Sequence, residues 1–175
     1  DQRLSRGLGD VYKRQHTMGA KWGDRWSGTD GVIGCYSTQT YKHINSGEGG
    51  LLVTNNPDIM AKATMLSGSY MLYDRHPAGP EKKYYDLLKY ETPNISGRMD
   101  HLRASILRPQ LDGLMERVAK WNELYQTLEE GLRSTPGLTI VERPKSEKYV
   151  GSSFQFLLLD WHSKQVKRVV ADCFS

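Results

Sequence analysis

Lys42 stands in the stretch S-T-Q-T-Y-K-H-I-N-S-G-E-G-G (37–50), between the apolar runs GVIGCY and LLVT. Small polar residues precede it, and glycines follow at 47, 49 and 50. The commonest meaning of such a string is a loop lysine beside glycines that only turn the chain. A nucleotide-binding loop is excluded by order: it places its glycines ahead of Lys-Ser/Thr and runs into a helix, whereas here the lysine comes first and an extended run follows. The remaining chemistry is an amine that condenses with an aldehyde. With an unperturbed pKa of about 10.4, a lysine amine is a poor nucleophile at neutral pH. Burial beside a cationic cofactor ring lowers that value and frees the amine to react. Such a site also needs an anion cradle of hydroxyls and backbone N–H groups, and Ser37 and Thr38 lie just ahead of the lysine.

The elements that must position Lys42 follow from local pattern. DGVIGCYST (30–38) is short, β-branched and bounded by glycine, and reads as a buried strand; GGLLVTN (49–55) reads as a second. The connection between them is too short for a helical crossover, so the pair is antiparallel or a local reversal. Asn56-Pro57-Asp58 opens a helix over 57–66, with Ile59, Met60, Ala63 and Leu66 expected on its apolar side. Residues 67–97 form a long connection rich in tyrosine, and such connections are often functional; Tyr70, Tyr73, Arg75 and His76 are its candidates for substrate or subunit contact. MDHLRASIL (99–107) is helical, with Pro109 expected to end or kink it. Residues 112–134 make a long amphipathic helix, with Leu114, Val118, Trp121, Tyr125 and Leu128 on one face. Strands are expected over 137–144 and 152–160, then a helix from Ser163, a suitable N-cap. The whole reads as α/β, with a change of character near residue 110.

A chain of 175 residues with 38% apolar and 25% charged residues is ordinary for a globular protein of one domain, or one domain and part of another. No apolar run reaches the ~18 residues that span a bilayer, and nothing resembles a signal peptide, which makes the cytoplasm the expected location and a membrane partner unexpected. Of the net charge of +4, half lies in residues 1–15, and the remaining basic residues alternate with acids. That distribution argues against nucleic acid as a partner. Cys35 and Cys173 have no metal or redox spacing and are expected to be buried small apolar groups.

Four motifs in order carry a family resemblance: H-T-M-G-A-K-W (16–22), G-x-x-G-C-Y-S (31–37), Y-K-H-I-N-S-G-E-G-G-L-L (41–52) and G-R-M-D-x-L-R-A (97–104). Together they resemble the DegT/StrS group of pyridoxal-phosphate sugar aminotransferases. The resemblance implies the aspartate-aminotransferase (fold type I) architecture: a large α/β cofactor-binding domain, here its C-terminal part over 16–110, and the start of an α+β small domain over 111–175. It implies pyridoxal 5'-phosphate as cofactor, with Lys42 as the lysine that condenses with it and later shuttles the proton. Ser37 matches a phosphate-binding serine, and His16 a residue at the cofactor's phenolic oxygen or ring edge. Asn94 is the nearest match to an asparagine that reaches the neighbouring subunit's phosphate, although N-I-S-G-R-M-D places it two residues from the family position. A homodimer with shared active sites, a nucleotide-linked keto sugar as substrate and glutamate as amino donor are implied in the same way. Some members are dehydratases with histidine at the Lys42 position; lysine here favours transamination.

The sequence departs from the family at its start. An aspartate three residues before the His16 position keeps the cofactor's ring nitrogen protonated in relatives, and this chain has Lys13. The segment 1–15 lacks apolar periodicity and resembles translated adapter sequence, which implies a non-native tail on an internal piece of a longer enzyme. The alternative is a non-catalytic remnant that keeps the subunit surface as a binding or regulatory module.

Overall fold

The computed structural model describes residues 11–13, 17–68, 71 and 73–173. Strands β1 (Val11–Lys13), β2 (Lys21–Trp22), β3 (Arg25–Trp26), β4 (Ile33–Ser37) and β5 (Gly50–Val53) lead into helix α1 (Pro57–Leu66). After 3-10 turns at Tyr73–Arg75 and Lys82–Tyr85 come the helices α2 (Leu88–Glu91), α3 (His101–Asp112) and α4 (Leu114–Leu132). The strands β6 (Leu138–Ile140), β7 (Glu147–Lys148) and β8 (Phe156–Leu158) and helix α5 (Ser163–Cys173) complete the α/β order.

Three small sheets organise these elements. In the first, β1 runs parallel to β4 with Lys13 opposite Cys35, and β4 pairs antiparallel with β5 in the register Cys35↔Leu52 and Ser37↔Gly50. The antiparallel branch of the sequence expectation therefore holds for β4 and β5. The second sheet, in the order β3-β2-β7, was not foreseen, because each strand has only two residues and offers no period to read. It joins Lys21–Trp22 to Glu147–Lys148 and so ties elements on either side of residue 110 together. The third is the antiparallel pair β6-β8, shorter than the runs 137–144 and 152–160.

The main core gathers Ala20, Ile44, Leu107, Leu114, Val118 and Val150, with Met18, Leu51, Met99 and Trp121 packed against it. It lies where α3 and α4 meet the strand region. The long connection after α1 builds a second core: Tyr85, fully buried, packs with Ala61 and Met65, and Tyr73, Tyr84 and Leu88 cover them. Tyr73 and His76 thus belong to a segment that folds back on α1; Tyr70 lies outside the described residues.

Several local expectations are corrected. Helix α1 buries Ala61, Thr64 and Met65 rather than the face of Ile59, Met60, Ala63 and Leu66, because the connection lies over that other side. Asn56 caps this helix, accepting from the N–H groups of Asp58 and Ile59 at 2.9 and 3.1 Å. Pro109 neither ends nor visibly breaks α3, which continues to Asp112; the carbonyl left without its helical donor is that of Ser105, an exposed residue that water can satisfy. In α4, Leu114, Val118 and Tyr125 are buried as expected, but Leu128 is exposed. Ser163 is the first residue of α5 rather than its cap; Gln165 Oε1 accepts the His162 N–H at 2.9 Å, half of a capping box. Cys35 is half-buried and Cys173 exposed, so neither is the buried apolar group expected.

Candidate active site

The connection that carries Lys42 is short, polar and rich in glycine, and a sequence of that kind holds a shape only if its backbone groups pair with one another. They do. Thr38 N–H donates to Gly49 C=O at 3.0 Å, Thr40 N–H to Gly47 C=O at 2.9 Å, and Ser46 N–H to Thr38 C=O at 2.9 Å. Lys42 N–H donates to Gln39 C=O at 3.0 Å, closing a tight turn under the lysine. Side chains complete the frame: Thr40 Oγ1 donates to Gly47 C=O at 3.1 Å, and Gln39 Oε1 accepts the Tyr41 N–H at 3.1 Å. Thr38, fully buried, brings its hydroxyl to 3.3 Å from that of Ser46.

Glycine is required at Gly49. Its φ of +137° is a backbone conformation that side-chain-bearing residues rarely adopt, and an added Cβ would meet Met99 Cε at 2.7 Å and Thr38 Oγ1 at 2.8 Å. The glycine lets the returning chain pass over Met99 at the approach to α3.

Three consecutive residues after Lys42 are fastened to the body of the protein. The His43 ring lies 3.3 Å (Nδ1) from Met18 C=O and 2.6 Å (Nε2) from Ser152 Oγ, and packs on Trp121 with ring centroids 5.0 Å apart. Ile44 is fully buried in the main core. Asn45 exchanges two hydrogen bonds with the side chain of Gln110: its N–H donates to Oε1 at 3.0 Å, and its C=O accepts from Nε2 at 2.8 Å. His43 is therefore engaged as a structural hydrogen-bonding group. The sequence offered no signal for Ser152 or Gln110 as partners, since both contacts join residues far apart in the chain.

Of the predicted site residues, the structure brings Lys42 and Ser37 into one loop frame. Lys42 is half-buried, while the neighbouring Tyr41 is 83% exposed. Ser37 ends β4, and its Oγ accepts the Gln39 N–H at 3.3 Å, which leaves the hydroxyl proton available to an outside acceptor. Asn94 lies outside that frame, exposed at the centre of a tight turn closed by Ile95 N–H donating to Pro93 C=O at 2.9 Å, on a stretch held by Gly97 N–H donating to Leu66 C=O at 3.1 Å. His16 lies outside the described residues. The donor set of the loop, one amine and one hydroxyl with a proton to give, fits the aldehyde and phosphate ends of a pyridoxal phosphate. The carboxylate for the ring nitrogen is not supplied by position 13, a lysine on β1 beside β4.

Residues 14–172 match the sequence model of the DegT/DnrJ/EryC1/StrS aminotransferase family. GDP-perosamine synthase of Caulobacter vibrioides is 30% identical over 112 residues, which is 61% of this chain and 27% of that protein. Among solved structures, the aminotransferase TlmJ from Streptoalloteichus hindustanus superposes with a TM-score of 0.74 at 21% identity, covering 95% of this chain and 43% of that one. The E. coli GDP-4-keto-6-deoxy-D-mannose-3-dehydratase, solved with bound hydrated PLP, gives the same TM-score of 0.74 at 18% identity, over 97% of this chain and 45% of that one. The chain thus spans less than half the length of these relatives.

Proposed function

Because this chain belongs to the DegT/DnrJ/EryC1/StrS aminotransferase family, whose members are pyridoxal-phosphate enzymes, we propose that it is the lysine-bearing part of an enzyme that transfers an amino group to a keto group on a nucleotide-linked sugar, with glutamate as donor. The observation that carries this reading is the Lys42 loop: a half-buried amine on a backbone that is hydrogen-bonded across its base and fastened behind the lysine. The nucleotide-sugar part rests on the relative named for GDP-perosamine synthesis.

When bound, pyridoxal phosphate supplies an electron sink at its ring. The protein's own share is positional and acid–base. Ser37 would donate a hydrogen bond from its hydroxyl to the phosphate. Lys42 Nζ would take a proton from the reacting carbon and hand it back, the role of a positioned general base and acid. The Tyr41 side chain and the exposed Leu102 and Ile106, one turn apart on α3, offer apolar surface for a second copy. In this reading Asn94, on its exposed stretch, is the residue that reaches the neighbouring copy's phosphate. The halves 16–110 and 111–175 are, on the same reading, the end of the large domain and the start of the small one.

The direct test is to incubate the chain with pyridoxal phosphate, reduce with borohydride and map the modified peptide. We expect the label on Lys42; a label spread evenly over surface lysines such as Lys62 and Lys167 would remove the reading. A second reading, the non-catalytic remnant, is favoured by one observation, Lys13 where an acid is needed. The Lys13→Asp variant separates the two: a gain in half-reaction rate with glutamate supports the enzyme, and a wild-type chain that takes the label while both forms stay inert supports the remnant.

A further inference from the structure

Nothing assigns a role to Gln110, yet its side chain is the one polar group on α3 seen to grip the lysine loop through both peptide groups that flank one residue, Asn45. Oε1 accepts the Asn45 N–H and Nε2 donates to the Asn45 C=O, at 3.0 and 2.8 Å, and Nε2 also reaches the Ile106 C=O at 2.9 Å. The residue is itself secured, because the Arg117 Nη2 on α4 donates to the Gln110 C=O through a short contact. On the other side of Ile44, His43 is held by Ser152, Met18 and Trp121. Ile44 pins the backbone by burial, but burial alone does not fix the rotation of the peptides beside it. A bidentate amide does, since both its bonds have directional requirements.

We propose that Gln110 is a positioning residue for Lys42. It fixes the two peptide planes on either side of the Asn45 Cα and, with the turn closed by Lys42 N–H on Gln39 C=O, sets the direction in which the lysine side chain leaves the loop. Arg117 carries the same constraint to α4, so the aim of the amine depends on how α3 and α4 sit against the loop. This assignment rests on the reading of Lys42 as the reactive amine, but the constraint on the loop can be measured without it.

The experiment uses the full chain, wild type and two variants. Gln110→Met keeps the length of the side chain and removes both hydrogen bonds; Gln110→Glu keeps an acceptor for the Asn45 N–H. Two readouts are taken: amide hydrogen exchange at Asn45, Ser46 and Thr38, and the labelling rate of Lys42 relative to Lys62, with formaldehyde and cyanoborohydride and separately with pyridoxal phosphate and borohydride. In Gln110→Met we expect Asn45 exchange to rise about tenfold, the equivalent of one net hydrogen bond. Exchange at Thr38 and Ser46, bonded within the loop, changes less than about threefold. Lys42 reacts faster with formaldehyde as the loop loosens and slower with pyridoxal phosphate as the aim is lost, each by several-fold. Loss of packing alone would raise all three amides together and would not drive the two labels in opposite directions. Gln110→Glu recovers the Asn45 protection in part. An unchanged formaldehyde ratio at Lys42 in Gln110→Met overturns the proposal, whatever happens at Asn45, and so does a rise in exchange shared equally by the three amides. Should wild-type Lys42 take no pyridoxal phosphate, the functional reading above falls, and the formaldehyde ratio still decides the role of Gln110.

Discussion

The loop 38–49 and the stretch 92–99 are both short, polar and free of regular structure, and the protein treats them in opposite ways. The first closes on itself through backbone hydrogen bonds, sinks Thr38 and Ile44 out of solvent and is fastened by His43 and Asn45 to distant residues. The second is exposed from Pro93 to Arg98, with one tight turn of its own from Pro93 to Ile95, Ile95 half out in water and few tethers to the body, among them Gly97 to Leu66 and Arg98 Nη1 to Gly68 C=O at 3.4 Å. A residue held by its own chain can be read from that chain. One proposed to wait for another surface, as Asn94 is, cannot.

The sharpest way to break this contrast is at the buried anchor. Ile44→Ala should destabilise the protein by about 2–5 kcal/mol, the range for truncating a fully buried aliphatic side chain, measured by denaturant unfolding. Ile95→Ala in the exposed stretch should stay within about 0.5 kcal/mol. Comparable losses at the two positions would show that the stretch is packed after all. Next in size is Gly49→Ala, which places a Cβ against Met99 and Thr38 and strains the backbone; a loss of about 1–3 kcal/mol is expected from backbone strain of this kind, with a slower pyridoxal phosphate reaction at Lys42. Asn94→Ala should leave the unfolding midpoint unchanged and weaken cofactor retention only in protein that has dimerised, read by titration across protein concentration.

The smallest expected effect concerns pH at the end of the exposed stretch. Asp100 caps α3 by accepting the Arg103 N–H at 2.8 Å, and this bond, together with the Arg103 guanidinium, holds its carboxyl below the ordinary value of 3.8. A depressed folded-state value contributes stability that is present above pH 3.8 and is lost as pH falls through the lower value. The first turn of α3 should therefore loosen in that acid window, seen as faster amide exchange at Arg103, and Asp100→Asn should flatten the dependence.

What could be read from residues alone divides along the same line as the two segments. Lys42 and Ser37, the strands β4 and β5 that frame them and the helices α1, α3 and α4 announce themselves by local pattern. The face of α1 was misjudged because its burial is decided by Tyr85, more than a dozen residues beyond the helix. The β3-β2-β7 sheet was missed because two-residue strands are chosen by their partners rather than by propensity. Gln110, beside a proline that suggested the end of a helix, carried no mark of its contact with Asn45. In each case the deciding partner is remote in sequence.

That remoteness has a consequence for synthesis. The contact between His43 and Ser152 joins residues 109 positions apart, and β2 waits for β7 across a similar interval. At ribosomal rates of roughly 5–20 residues per second, the nascent loop spends several seconds outside the exit with Ile44 and the Trp121-facing side of His43 uncovered. The segment that carries Lys42 is made well before the residues that lock it. A ribosome-arrested series of increasing length should show Lys42 gaining its final reactivity only after residue 152 has emerged.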